Sequence, residues 1–150
     1  MKRLLIPAII IILQFQPFTL KSQTADDPKF LESIQGTWAF AEKDAPFWYK
    51  AVITGNTFEI FEAEQGEGKF STKTTVEIIK SVKTTSRGGN DDGSNSQSYV
   101  QLGAKNLNFD IITLITVDGK NTLACGKFKK EKYQNFVNLV NVPSDFNPWK

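Results

Sequence analysis

The sequence predicts an all-β domain, an antiparallel meander closed or nearly closed into a barrel of about eight strands, with a short N-terminal helical turn. Extended segments rich in Val, Ile, Thr, Phe and Tyr, separated by turn residues, support this prediction. These segments are 37–43, 48–54, 56–63, 69–84, 97–103, 106–117 and 121–130. Their spacing of roughly 8 to 12 residues is typical of all-β barrels and sandwiches. The few helical stretches disfavour a parallel α/β sheet.

The local signals agree with this order of elements. A helical turn is expected over residues 26–33, where an aspartate cap precedes a proline in the first turn. Tight hairpin turns are expected at residues 54–56 and at Asp118-Gly119, because glycine supplies the positive φ that such turns need. The strands that flank each turn should therefore be antiparallel neighbours.

An export signal is expected over residues 1–23. Residues 1–3 include Lys and Arg, and residues 4–13 form an almost wholly apolar run before polar residues return. That run of about 10 residues is shorter than the roughly 20 that span a bilayer. We therefore expect cleavage within residues 22–25, no stable membrane anchor, and a secreted or periplasmic domain over residues 24–150.

Composition excludes several classes of function. With no His and one Cys, the 150-residue chain lacks His-dependent nucleophile pairs, imidazole metal ligands, a Cys-rich zinc site and an intrachain disulfide. Its 18 basic and 16 acidic residues include no long run of Lys or Arg, so nucleic acid is not an expected partner. We expect no enzymatic activity, no metal and no cofactor.

Alternation along the strands predicts which side chains share a face. Phe58 and Ile60 share one face of their strand. The segment 109–117 is apolar on both faces, which requires a central position or an outer cover. The segment Tyr133–Val142 is a candidate cover, either as a short helix or as a last strand. The polar stretch 83–98 is expected to be an exposed, mobile loop.

Three constellations have a chemical and a simpler interpretation. Oxygen ligands at 90–95 suggest Ca²⁺, but their spacing departs from that of a calcium loop, so a solvated linker is favoured. The glutamates within 59–67 could supply paired carboxylates for glycoside hydrolysis, but a solubilising edge is favoured. Cys125 lies in an apolar strand, which favours a buried, inert thiol.

Two aromatic segments raise the question of what they contact. Residues 44–49 place three consecutive aromatic side chains after a proline, as a stacking platform or as a loop that folds onto the core. Residues 146–150 form an aromatic tail, which needs a surface to dock on.

The segment 34–38, Ile-Gln-Gly-Thr-Trp, follows the helical turn and opens a strand. It resembles the G-x-W opening of lipocalins and the wider calycin barrels. The chain lacks the middle-loop signature and the disulfide of lipocalins, and it more closely resembles the small lipocalin-like domains exported by Bacteroidetes-type bacteria. The resemblance implies a structural barrel plug made of Gly36 and Trp38, with Lys127 or Lys129 as the basic side chain over the Trp ring.

The resemblance also implies function, namely non-covalent binding of a small hydrophobic molecule inside the barrel. The residues expected to bind it are Phe40, Trp48, Phe58, Ile60, Phe109 and Ile111. The alternative is a secreted interaction module without a cavity, which binds a protein or a glycan through the aromatic edge Phe47–Tyr49 and the long polar loop. Large inward aromatics would fill a small barrel and favour this alternative.

Overall fold

The computed structural model describes residues 23–64, 66–87, 94–104, 107–130 and 132–150. The expected export signal lies outside these ranges except for its last residue. In chain order the elements are β1 (Gln23–Asp26), α1 (Pro28–Ser33), β2 (Gly36–Phe40), β3 (Phe47–Thr54), β4 (Thr57–Glu64), β5 (Thr72–Arg87), β6 (Ser94–Leu102), β7 (Ile111–Val117), β8 (Lys120–Lys129) and β9 (Lys132–Val142). No helix in the described part of the chain is long and apolar enough to cross a membrane.

Strands β2 to β9 form a closed eight-stranded antiparallel barrel, which confirms the predicted fold class. Each of these strands pairs with the next in the chain, and β9 pairs with β2 to close the ring. Strand β1 pairs with the C-terminal half of β5, where Gln23 lies opposite Thr85 and Asp26 lies opposite Val82. The segment Tyr133–Val142 is therefore a strand that belongs to the barrel wall.

Helix α1 covers one end of the barrel. The backbone N–H of Phe30 donates to Asp27 Oδ1 at 3.2 Å, so of the two aspartates expected as candidates, Asp26 and Asp27, the second caps the helix. The Asp27 carboxylate also accepts from Ser98 Oγ at 2.5 Å, which ties the start of α1 to β6. Ile34, which follows the helix, is fully buried in the core.

The two predicted hairpin turns are present. Gly55 has a φ of +57° between β3 and β4, while Asp118 and Gly119 have φ values of +49° and +76° between β7 and β8. Two consecutive residues with positive φ give a turn whose twist matches that of the flanking strands.

The inward side chains form one hydrophobic core. Its most deeply buried members are Ile34, Ala51, Ile53, Phe58, Val100, Phe109, Ile112, Leu123, Cys125 and Leu139. Burial of each larger side chain stabilises the fold by about 2 kcal/mol. A second cluster, made of Ile111, Ile115, Ala124 and Tyr133, lies on the opposite face of β7 and β8.

The prediction of a mobile loop over 83–98 is wrong for most of that stretch. Strand β5 continues to Arg87 and β6 begins at Ser94, with Ser86 opposite Asn95 and Val82 opposite Tyr99. The hydroxyls of Thr85 and Ser96 lie 3.2 Å apart across the pair. Lys83, Asn95 and Ser96 in this part of the strand pair are exposed, whereas Thr84 is buried. Residues 88–93, which include most of the candidate calcium ligands, lie outside the described ranges.

Candidate functional site at the end of the barrel opposite the helix

Four aromatic side chains form what we call the mouth, at the barrel end opposite α1: Phe40, Tyr49, Phe109 and Phe136. Strand β2 starts beside α1 and ends at Phe40, which lies opposite Tyr49 on β3. Both side chains are partly buried and pack against the core. They therefore face the interior at the end of the barrel that α1 leaves uncovered.

Phe136 joins the two sides of the mouth. Its ring centroid lies 5.8 Å from that of Tyr49, edge to face, and 5.7 Å from that of Phe109, with 27° between the Phe109 and Phe136 planes. Even so, 41% of Phe136 remains exposed. Aromatic pairs at these distances stabilise each other by about 1 kcal/mol beyond the area they bury.

A β-bulge places Phe136 in this position. Cys125 of β8 lies opposite Val137, whereas the next residue, Gly126, lies opposite Asn135. Phe136 is therefore the extra residue of β9, without a partner of its own on β8. A bulge bends its strand and redirects a side chain, so Phe136 contacts Phe109 on the interior side.

The floor of the mouth is closely packed. Phe109 is 2% exposed and meets Phe58, which is fully buried, edge to face with the centroids 5.9 Å apart. Ile112, Leu123 and Leu139 are also fully buried in the same cluster. Side chains therefore fill the deep interior, and the accessible aromatic surface lies at the mouth.

The mouth also contains a hydroxyl and a carboxylate. Burial raises the pKa of the Tyr49 hydroxyl, and the negative charge of Glu62 raises it further. Tyr49 thus stays protonated at neutral pH, so its O–H can donate a hydrogen bond to a bound molecule.

Four of the six residues predicted to bind a ligand face the interior. Phe40 and Phe109 belong to the mouth, while Phe58 and Ile60 lie deeper in the core. The other two, Trp48 and Ile111, do not face the interior.

Trp48 and Ile111 each lie on the outer side of a strand whose next residue points inward. Trp48 precedes Tyr49, and Ile111 precedes the core residue Ile112. Since successive side chains of a strand alternate between its two faces, an error of one residue exchanges inside and outside. Neither Trp48 nor Ile111 is part of the interior surface.

Trp48 instead packs against the C-terminal tail. Its indole N–H donates to the carbonyl of Glu42 at 2.8 Å, and its ring lies 5.5 Å from that of Trp149. Trp149 also contacts Phe70, with the centroids 5.0 Å apart. The aromatic tail therefore docks on the outer face of the barrel, over Trp48.

Of the residues implied for a barrel plug, Gly36 and Trp38 lie on β2 next to α1, and the two lysines lie elsewhere, near the end of β8. Trp38 is 4% exposed beside α1, and its indole N–H donates to the carbonyl of Ile34 at 2.9 Å. Gly36, which opens the strand, has a φ of +119° that favours glycine.

The two lysines lie at the other end of β8. Trp38 lies opposite Asn141 of β9, whose neighbour Val140 lies opposite Thr122 of β8. Lys127 is five residues beyond Thr122, a separation of roughly 16 Å along an extended strand. Neither Lys127 nor Lys129 therefore covers the Trp38 ring.

The remaining candidate groups have ordinary structural surroundings. Cys125 is fully buried, and burial raises the pKa of its thiol. Glu59 forms an ion pair with Lys73, and Glu67 Oε2 accepts from the backbone N–H of Glu64 at 2.8 Å. Among the residues that the structure describes, no group of three or more His, Cys, Asp or Glu side chains is placed to hold a metal ion.

Sequence reasoning missed Phe136 as a mouth residue. The signal was two adjacent apolar residues, Phe136 and Val137, which break the alternation expected of a regular strand. Such a break predicts a bulge only once the pairing with β8 is known.

Comparisons of the chain with protein-family models, with curated proteins and with solved structures find no match. The closed barrel, with a helix at one end and G-x-W at the start of its first wall strand, is consistent with a lipocalin-like fold.

Proposed function

We propose that the protein is an exported, lipocalin-like domain that binds a small hydrophobic molecule non-covalently at the mouth. The observation that carries the proposal is the exposed ring of Phe136, held on the interior side of the barrel by Phe109 and Tyr49. Sites for small molecules are mostly apolar and aromatic, with a few polar groups that orient the ligand. The mouth has this composition, with the Tyr49 hydroxyl and the Glu62 carboxylate as its polar groups.

The energetics of the mouth favour a ligand. Exposed aromatic area costs about 25 cal/mol for each Å² that water contacts, and a ligand stacked on Phe136 removes that cost. The rings that hold Phe136 are themselves packed, so little conformational entropy is lost when a ligand binds. Because Phe58 and Phe109 fill the deep interior, we expect the ligand to lie across the mouth rather than inside the barrel.

The alternative interaction module has less support from the aromatic edge. Trp48 is 9% exposed beneath Trp149, and Tyr49 faces the interior. Phe47, at 38% exposure, is the ring of that edge which remains available to a partner. A single exposed ring is a small contact area for a protein or a glycan.

A neutral fluorescent probe, N-phenyl-1-naphthylamine, tests binding to the purified protein. We expect saturable binding with one site per chain, weakened about tenfold by Phe136→Ala, since stacking on one ring contributes about 1 kcal/mol or more. The matched control is Phe128→Ala. Phe128 belongs to the same hairpin and is 37% exposed, but it packs on Tyr133 on the outer face.

The outcomes of this titration separate clearly. Loss of affinity in Phe136→Ala with retention in Phe128→Ala supports the mouth. Equal effects of the two substitutions, or a signal that never saturates, would contradict it. The intact mass of the purified protein tests the separate expectation that residues 1–23 are removed on export.

A further inference from the structure

Strand β7 is apolar on both faces, so its outer face needs a cover as well as its inner face. The segment that the sequence offered for that role, Tyr133–Val142, is β9 and belongs to the barrel wall. The outward side chains Ile111 and Ile115 of β7 are nevertheless only 5% exposed each. A layer other than β9 therefore shields them from water.

The shielded surface extends across four strands. Val82 of β5 lies opposite Tyr99 of β6. Tyr99 in turn lies opposite Thr113 of β7, which lies opposite Ala124 of β8. Because Cys125, the neighbour of Ala124, is a core residue, this row points outward. Val82, Thr113 and Ala124 are all fully buried.

We call the buried outward side chains of these strands the outer patch: Val82, Thr84, Ile111, Thr113, Ile115 and Ala124. Thr84 Oγ1 is buried without a hydrogen-bond partner among the described residues, and so is Asn138 Oδ1, which lies next to Ala124 on β9. Water is thus excluded from polar atoms of this face as well as from apolar ones. Such exclusion indicates that a layer lies over the patch.

Tyr133 provides that layer at one end of the patch. A Cβ atom added at Gly126 would lie 2.5 Å from Tyr133 Cζ, so the Tyr133 ring covers the end nearest the mouth. Tyr133 lies opposite Phe128 of β8, whereas Ile115 lies opposite Thr122 of the same strand. The six residues between them correspond to roughly 20 Å, which is beyond the reach of one ring.

The rest of the cover comes from outside the described ranges. The described residues that pack with Ile111 and Ile115 stand on the same face of the sheet, where they shield each other's flanks. Shielding the tips takes a second layer. Besides residues 1–22, the residues outside the described ranges are 65, 88–93, 105, 106 and 131, and none of these is hydrophobic. Residues 1–22 contain the apolar run 4–13.

The amino-terminal segment also joins the barrel beside the patch. Gln23 of β1 lies opposite Thr85 of β5, the neighbour of Thr84. Residues 14–22 can span up to roughly 30 Å when extended. From β1 the chain of paired strands runs through β5, β6 and β7 to β8, a distance of roughly 20 Å. Residues 4–13 are therefore within reach of the whole patch.

We propose that the apolar run at residues 4–13 docks on the outer patch of its own chain as long as residues 1–23 are present. The contact removes apolar surface of both the run and the patch from water. A run that is docked is not available as an export signal, so docking and export are alternative states of the same segment. Removal of residues 1–23 then uncovers an apolar outer face on the mature domain, separate from the mouth.

A thiol placed in the patch reports whether the patch is covered. The variant T84C changes a side chain of similar size whose hydroxyl has no partner among the described residues. Cell-free synthesis without membranes supplies the full chain with residues 1–23 in place, and the parent chain gives the background from Cys125. We expect the thiol of T84C to react slowly with a maleimide probe, because reactivity follows exposure.

Charges in the run should uncover that thiol. I9D/I11D leaves the barrel unaltered, and its two carboxylates oppose burial against an apolar patch. T84C/I9D/I11D should therefore react about tenfold faster than T84C. The matched control is T84C/Q14D/Q16D, which adds the same charges outside the run and should react as slowly as T84C. Far-UV circular dichroism checks that the variants are folded.

A photo-cross-linking residue, p-benzoylphenylalanine in place of Ile10, locates the run independently of these variants. We expect it to attach to peptides that contain residues 82–84 or 111–115 of the same chain. Attachment to another surface, or no attachment, would overturn the inference.

The other outcomes also overturn it. Fast reaction of T84C itself would mean that the patch is open in the full chain. Slow reaction of T84C/I9D/I11D would mean that the described strands bury the patch by themselves. Sedimentation equilibrium should show a monomer, whereas a dimer whose T84C thiol becomes reactive on dilution would show that a second copy covers the patch.

Discussion

Phe136 stacks on Phe109 with the ring centroids 5.7 Å apart and 27° between the planes, although the two residues differ sharply in burial. Phe109 is 2% exposed, whereas Phe136 is 41% exposed. One ring therefore belongs to the core and the other forms an apolar surface above it. This division separates what stabilises the barrel from what is available for binding.

Alanine substitution should mainly lower stability at Phe109 and mainly weaken probe binding at Phe136. Phe109→Ala removes a fully packed ring and is expected to lower the free energy of unfolding by about 3 to 5 kcal/mol. Phe136→Ala removes a half-exposed ring and should cost about 1 kcal/mol or less while it weakens probe binding. Urea denaturation of both variants checks the prediction, and an equal loss of stability would show that Phe136 is a core residue.

Local signals account for the parts of the fold that the sequence predicted. The turn at Asp118-Gly119 needs positive φ at both residues, and this requirement is visible in the dipeptide itself. The inward orientation of Phe58 and Ile60 follows from strand alternation, because the residue between them is charged and faces outward. Such features depend on a few adjacent residues, so a single sequence suffices.

The parts that were missed depend on partners distant in the chain. The bulge at Phe136 exists only in the register that β9 adopts against β8. In the run Phe47–Tyr49 every residue is aromatic, so no alternation shows which ring points inward. The strand pair around Thr85 and Ser96 is polar, and its order comes from backbone pairing that hydropathy does not report. Half of the mouth was therefore beyond prediction.

The docked tail should contribute measurably to stability. Trp149 packs on Trp48 and Phe70, while its buried indole nitrogen has no hydrogen-bond partner among the described residues. Trp149→Ala should cost about 2 kcal/mol through lost apolar burial. Trp149→Phe should cost less, because it keeps a ring and removes an unpaired polar group. Thermal unfolding of the two variants tests this order, and the reverse order would show that the indole N–H is paired.

Asp27 should act as a tether as well as a helix cap. Its Oδ1 accepts the N–H of Phe30 and its Oδ2 accepts the hydroxyl of Ser98. We expect Asp27→Ala to lower stability by about 1 to 2 kcal/mol, and Ser98→Ala to lower it by less because the cap remains. Hydrogen exchange should show faster opening of α1 in Asp27→Ala. Unchanged exchange in α1 would mean that core packing alone holds the helix.

Cys125 should be unreactive in the folded protein at neutral and mildly alkaline pH. Burial raises the pKa of its thiol, so the thiolate that attacks disulfides is scarcely populated at pH 8. We expect the thiol not to react with Ellman's reagent in buffer. In 6 M guanidinium chloride, about one thiol per chain should react. Rapid reaction of the native protein would show that the strands around Cys125 open frequently.

Gly126 should tolerate no side chain. A Cβ atom at this position would collide with the Gln134 carbonyl oxygen, which is backbone, and would lie 2.5 Å from Tyr133 Cζ. Gly126→Ala must therefore displace the Tyr133 ring or disturb the bulge, at a cost of about 2 kcal/mol or more. Tyr133→Ala removes the ring but leaves the carbonyl, so the double variant should recover part of the loss relative to the sum of the single effects. Additive effects in a double-mutant cycle would show that the ring and the glycine do not interact.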